Sequence, residues 1–287
     1  MIAVCLKFTP PPGIGRRALD DRFDDRFDNR FGGVSSADRA ALEVALRFGE
    51  ATGSDVVAVS AGPLAAQRVL RDAMACGATS ARHIIVALER DSVDVATDLA
   101  AAVHGADIVV CGDYSLDRGS GSVPAFIAHH LGAAQALGLV DLDLPAAGGA
   151  DLGRQVVRAI RRLDGGRREV LAVTAPCVVS VEGAVALDGT SVSLRRASLP
   201  GLVAAADAPI EQLAAAAHRS STTVSHISGF RPRARTLGSP TGGVTLDRVR
   251  QLLDTGGSVA HGETVELDPR ASAERIIESL RHWGYLS

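Results

Sequence analysis

The chain has 287 residues, 46% of them hydrophobic, which is ample for one large α/β domain or two small ones and too apolar for a disordered chain. A formal net charge of −3 and a pI near 6.2 leave no overall basic field for nucleic acid or anionic lipid. Cys5, Cys76, Cys111 and Cys177 lie far apart in apolar stretches with no CxxC pair, so buried thiols are expected rather than disulfides or a zinc knuckle.

The N-terminal stretch MIAVCLKFTPPPG has no basic region followed by a long apolar one, and no run in the sequence approaches the roughly 18 apolar residues of a membrane span. A cytoplasmic protein without membrane insertion is the expectation. Along the first half, short β-rich runs alternate with Ala-rich helical ones: IAVCLK at 2–7, DVVAVSA at 55–61, HIIVAL at 83–88 and DIVVCG at 107–112. Their near-continuous hydrophobicity indicates strands covered on both faces. The helical patterns between them, 37–52, 64–77 and 93–104, are long enough to cross over, which predicts a parallel sheet. Residues 20–31, DDRFDDRFDNRF, repeat Arg-Phe-Asp between the first strand and the first helix and read as an exposed charged loop or hairpin.

After residue 132 the pattern changes. GLVDLDL, RQVVRAIRRL, GGRREVLAVTA and CVVSVEG are strands separated by short turns, and they predict an antiparallel extension of the sheet. The expected architecture is an open, mostly parallel α/β sheet with helices on both faces, that extension, and a C-terminal arm ending in a helix. The expected boundaries are an α/β nucleotide-binding domain over 1–200 and an extended arm over 201–287. Residues 201–241 are rich in Ala, Ser, Thr, Gly and Pro with little periodicity. At the end of the arm, 271–283 form an amphipathic helix with Ile276, Ile277, Leu280 and Trp283 on one face, which needs a surface to cover.

The stretch CGDYSLDRGSGSVPAFIAHHLG, 111–132, follows a parallel strand and precedes a helix, where the carboxyl edge of an open α/β sheet takes ligands. Gly119, Ser120 and Gly121 permit a tight turn, and free N–H groups there plus a helix starting near Ser122 suit a phosphate, although a Gly-Ser-Gly turn is also an ordinary helix cap. GxxxxGK[ST] is absent, as are GxSxG, HExxH and a Gly-rich loop after the first strand with an acid about 20 residues on, so no catalytic residues are named. His129 and His130 are adjacent on a helix and read as one packed and one exposed residue rather than metal ligands. Six arginines between Arg154 and Arg168, opposed by Asp164, read as a solvated strand face, because the aromatics of a nucleic-acid groove are not interleaved with them.

The segment AIRRLDGGRREVLAVTAPCVVS, 159–180, is a hairpin turning at Asp164-Gly165-Gly166, and it resembles the signature of the small (beta) subunit of electron-transferring flavoproteins. Ala159, Arg161, Asp164, Gly165, Gly166, Glu169, Leu171, Pro176, Val178, Val179 and Ser180 occupy that pattern in order. ALEVALRF at 41–48, VVAVSAGP at 56–63, the 111–124 stretch and ASLPGLV at 197–203 agree with the same family. The resemblance implies an electron carrier rather than an enzyme. It would be a heterodimer with the electron transfer flavoprotein alpha subunit, with FAD at the interface, a dehydrogenase donor, and a quinone reductase or similar acceptor.

It further implies AMP, or in some relatives a second FAD, bound in this subunit by Cys5, Ala61, Gly112, Asp113, Tyr114, Ser115, Leu116, Asp117, Arg118, Gly119, Ser120, Gly121, Ser122 and Val123, and a dehydrogenase-docking loop at Leu199 and Pro200. The chain departs from the family in places: Asn-Pro-Phe before the first helix is Ser35-Ser36-Ala37. A run of acids in the nucleotide loop is reduced to Asp117 followed by Arg118 and Gly119, and the docking-loop lysines are replaced by Ala204-Ala205-Ala206-Asp207. The alternative is a stand-alone adenine-nucleotide-binding module or hydrolase on a similar sheet.

Overall fold

A computed structural model describes residues 1–9, 33–88, 90–144, 156–192, 195–217, 243–253, 265–283 and 285–286. The 20–31 charged repeat lies outside the described residues. Two compact units divide the chain, Met1–Thr223 and Val224–Ser287.

In the first unit, β1 (Ile2–Cys5), β2 (Val56–Gly62), β3 (Ser80–Ile85) and β4 (Ile108–Gly112) alternate with α1 (Ser36–Thr52), α2 (Gln67–Ala75) and α3 (Ser92–Ala102). Next come α4 (Val123–Leu131), β5 (Ala134–Leu142), β6 (Val156–Arg162), β7 (Arg168–Thr174), β8 (Cys177–Leu187), β9 (Thr190–Ser191), α5 (Leu199–Ala206) and β10 (Glu211–Leu213). The strands form one sheet in the order β10-β3-β2-β1-β4-β8-β5-β6-β7, with β9 beside β8. β1, β2, β3, β4 and β8 pair in parallel, as the near-continuous apolar runs predict.

The extension is more mixed than its turn-separated strands suggest. β5, β6 and β7 are antiparallel neighbours, but β8 inserts between β4 and β5 and runs parallel to both. Val178, Val179, Val181 and Val185 of β8 are all buried, and a strand with both faces apolar is most stable at the sheet centre, covered on both sides.

The strands divide their side chains by the two-residue period. Ile2, Val4, Ala58 and Val110 join α1 and α2 in one core, while Ala3, Cys5, Val57, Val109 and Cys111 join α3 and α4 in the other. Ser35 caps α1 by accepting the Asp38 N–H at 3.0 Å, and Gly53 ends the helix with φ +69°. Removal of that cap costs about 1 kcal/mol.

Two further readings are revised. Leu199 does not sit on a loop: it opens α5, whose N-cap Ser198 accepts the Gly201 N–H at 3.1 Å. The low periodicity of 201–241 concealed both the end of α5 and the short β10, which extends the sheet by pairing in parallel with β3. The second unit contributes α6 (Thr245–Leu253) and α7 (Pro269–His282). On α7, Ile276, Ile277 and the following Trp283 are exposed.

Candidate functional site

β1 leads through α1 to β2 on one side, whereas β4 lies on the other side of β1. The sheet therefore has its topological switch point between β1 and β4, where their carboxyl ends leave a crevice. Cys5 and Cys111 stand in register at those ends. Over them opens a cleft of about 110 Å³.

The floor is apolar, formed by Cys5, Leu6, Ala61, Val95, Leu99 and Cys111; the rim is polar, with Lys7, Ser92, Ser115, Arg118, Ser120 and Ser122. Two glycines shape it. Gly112 lets α1 approach β4 so closely that a Cβ there would lie 2.6 Å from Asp38 Oδ1, and Gly121, at φ +59°, would place a Cβ 2.5 Å from the Asp113 carbonyl oxygen. Gly119 has φ +62°, so both glycines of the Gly-Ser-Gly turn occupy the left-handed region. The turn delivers the chain into α4 with no side chain capping its N-terminus. Backbone N–H groups of the first turn and the positive end of the helix dipole thus stay available.

The loop after β4 is held from outside. Lys7 Nζ donates to both carboxylate oxygens of Asp117, at 2.6 and 2.7 Å, and to Ser115 Oγ at 3.3 Å. Burial alone would raise the Asp117 carboxyl, but the Lys7 and Ser115 hydrogen bonds outweigh it and hold it below the ordinary aspartate value. Asp117 Oδ1 also accepts the Arg118 N–H at 2.8 Å, and the Arg118 guanidinium donates to the Leu88 carbonyl at 3.1 Å and Ser92 Oγ at 3.4 Å. Tyr114 is fixed by Ser35 Oγ, which donates to its carbonyl at 3.3 Å, and by Ser36 Oγ, 3.1 Å from its hydroxyl.

Asp38, in the first turn of α1, is buried in the cleft wall. Desolvation raises its pKa to about 7, opposed by the Lys7 backbone N–H and by Ser35. The Cys111 thiol is pushed well up, first by its hydrogen bond with Cys5 and then by burial, so it is no nucleophile at neutral pH.

Of the residues named from sequence, Cys5, Ala61, Gly112, Tyr114, Ser115, Arg118, Ser120, Gly121, Ser122 and Val123 line this one cleft. Asp113, Leu116, Asp117 and Gly119 are not in its wall: Asp117 and Gly119 shape the loop behind it, and Leu116 points to solvent, 62% exposed. Sequence reasoning missed Lys7, Asp38, Arg90 and Ser92. Lys7 had a readable signal, a charge directly after an apolar strand at the carboxyl edge of the sheet. His129 and His130 are both exposed, in the last turn of α4, which revises the reading of one as packed. The arginines of the hairpin pair with acids: Arg158 with Asp143 at 3.2 Å, Arg161 with Glu169, and Arg162 with Glu182 at 2.5 Å.

Known proteins resemble this chain. Proteins named electron transfer flavoprotein subunit beta from Mycobacterium bovis, Mycobacterium tuberculosis and Mycobacterium leprae are each 29% identical to it over 144 residues, 47% of this chain and 54% of the relative. The chain thus spans about half the length of the curated relatives it matches. A sequence model described as the electron transfer flavoprotein domain matches residues 28–218, which takes in β2 to β10 and every cleft residue from Asp38 onward. With two thirds of its length so matched, the chain belongs to the electron transfer flavoprotein domain family.

Proposed function

We propose that the chain is the small (beta) subunit of a heterodimeric electron transfer flavoprotein and binds AMP in the cleft between β1 and β4. The observation that carries this reading is the convergence of Cys5, Ala61 and the Gly112–Val123 loop on one cleft at the switch point of the sheet. The residues fit a nucleotide. The apolar floor suits a base, and the uncapped α4 N-terminus behind two positive-φ glycines suits one phosphate.

FAD, held mainly by the alpha subunit, supplies the redox chemistry when bound. This chain buries the nucleotide, shapes its own side of the subunit interface and performs no bond-breaking step itself. α7 packs on the alpha subunit, covering the exposed Ile276, Ile277 and Trp283. Leu199 and Pro200 meet the dehydrogenase, from which electrons pass to a quinone reductase or similar acceptor. Among the described residues, no helix is long and apolar enough to cross a membrane.

Co-production with an alpha subunit, followed by denaturation and quantification of released nucleotides, tests the reading. One AMP and one FAD per heterodimer is the expected result. Two FAD per heterodimer would reject AMP in this cleft, and a colourless monomer would reject the carrier in favour of a stand-alone nucleotide-binding module.

A further inference from the structure

Among the described residues three cations border the cleft, and their charges are compensated unequally. Lys7 is bonded by both oxygens of Asp117, and Arg90 faces Asp98 at 2.8 Å. Arg118 differs: among the described residues its guanidinium meets only two neutral acceptors, the Leu88 carbonyl and Ser92 Oγ. Burial raises the pKa of Asp38, an acid in the cleft wall, to about 7, which reduces the opposing charge it supplies near neutrality.

Arg118 is also well placed to exchange partners. Its backbone is fixed, through the N–H bond to Asp117 Oδ1 at 2.8 Å, while its head spans the cleft to the loop after β3 with one contact as long as 3.4 Å. A guanidinium held by a carbonyl and a hydroxyl gains by turning to a phosphate, whose negative charge and paired oxygens match its planar fork of donors.

We propose that Arg118 is the specificity residue of the cleft: its guanidinium turns from Leu88 and Ser92 to the phosphate of the nucleotide, so that the site selects nucleoside phosphates over nucleosides. The proposal rests on reading this cleft as the adenine-nucleotide site.

The test is calorimetric titration of AMP and of adenosine into the full-length chain, in the assembly in which it is isolated and depleted of nucleotide by dialysis, for wild type, Arg118→Gln and Arg118→Lys. For Arg118→Gln, AMP affinity should fall roughly tenfold or more while adenosine affinity stays unchanged. Arg118→Lys should recover part of the loss. An unchanged AMP affinity in Arg118→Gln, or equal losses for AMP and adenosine, would overturn the assignment and leave Arg118 a purely structural clasp. If wild type takes up neither compound, the nucleotide reading of the cleft falls and the role of Arg118 with it.

Discussion

Gly121 carries two constraints at once, a φ of +59° and only 2.5 Å between a prospective Cβ and the Asp113 carbonyl oxygen. Gly121→Val should therefore cost about 2 kcal/mol of stability and empty the cleft of nucleotide, checked by a melting curve beside nucleotide quantification. Full occupancy with an unchanged melting temperature would mean that the loop neither needs its turn nor forms the site. Asp38 permits a pH experiment. Its pKa is raised from 3.8 to about 7 in the folded chain, so between those values the native state holds more protons than the unfolded one. The Asp38 contribution to stability is then largest below pH 3.8, falls as pH rises to about 7 and is constant above. Asp38→Asn should remove that slope, so that the melting temperature of the variant gains on wild type from pH 5 to pH 7 and then runs parallel to it. A constant difference across the range would place the Asp38 carboxyl in water.

The α5 helix shows how much one element can hide in a sequence of small residues. Leu-Pro-Gly-Leu-Val-Ala-Ala-Ala has no 3.6-residue alternation of apolar and polar residues, and what docks it is contact: a Cβ on Gly201 would meet the Ala75 carbonyl oxygen at 2.4 Å, and Arg71 donates to the Ala205 carbonyl at 2.7 Å. Such long-range contacts cannot be read along the chain, whereas the near-continuous apolar runs of β1 to β4 and the helical patterns of α1 to α3 could. The cleft divides in the same way. Its loop residues were legible because one motif holds them together, but Lys7, Asp38, Arg90 and Ser92 come from three other elements that only the fold assembles. Leu199, 75% exposed at the start of α5, stabilises little and is free to anchor a partner. Leu199→Ala should leave the melting temperature unchanged while electron transfer from the dehydrogenase at subsaturating concentration falls roughly tenfold or more, because a leucine buried in a partner's pocket contributes about 2 kcal/mol. A lowered melting temperature with unaltered turnover would show that Leu199 packs the helix instead.

In the first unit as a whole, the cleft and the outgoing chain are tied together by one buried ion pair. Arg90, in the cleft wall, faces Asp98 of α3, with side chains 13% and 0% exposed. Beyond β10, the backbone of Ala216 closes a ring with both: its carbonyl accepts Arg90 Nη2 at 2.6 Å and its N–H donates to Asp98 Oδ1 at 2.7 Å. Removing one partner of a buried pair strands the other charge, which costs about 3–5 kcal/mol, whereas replacing both with apolar residues is often neutral. Arg90→Met should thus lower the melting temperature sharply, and Arg90→Met with Asp98→Leu should restore most of it. In the double variant the Ala216 N–H loses its Asp98 acceptor, so hydrogen exchange at that amide should be fast even where global stability has returned. That split between global and local protection distinguishes a clasp on the outgoing chain from an ion pair that merely fills the core. If the double variant regained slow exchange at Ala216 along with its melting temperature, β10 alone would be holding the segment, and the Arg90–Asp98 pair would have no part in linking the cleft to the chain that leaves it.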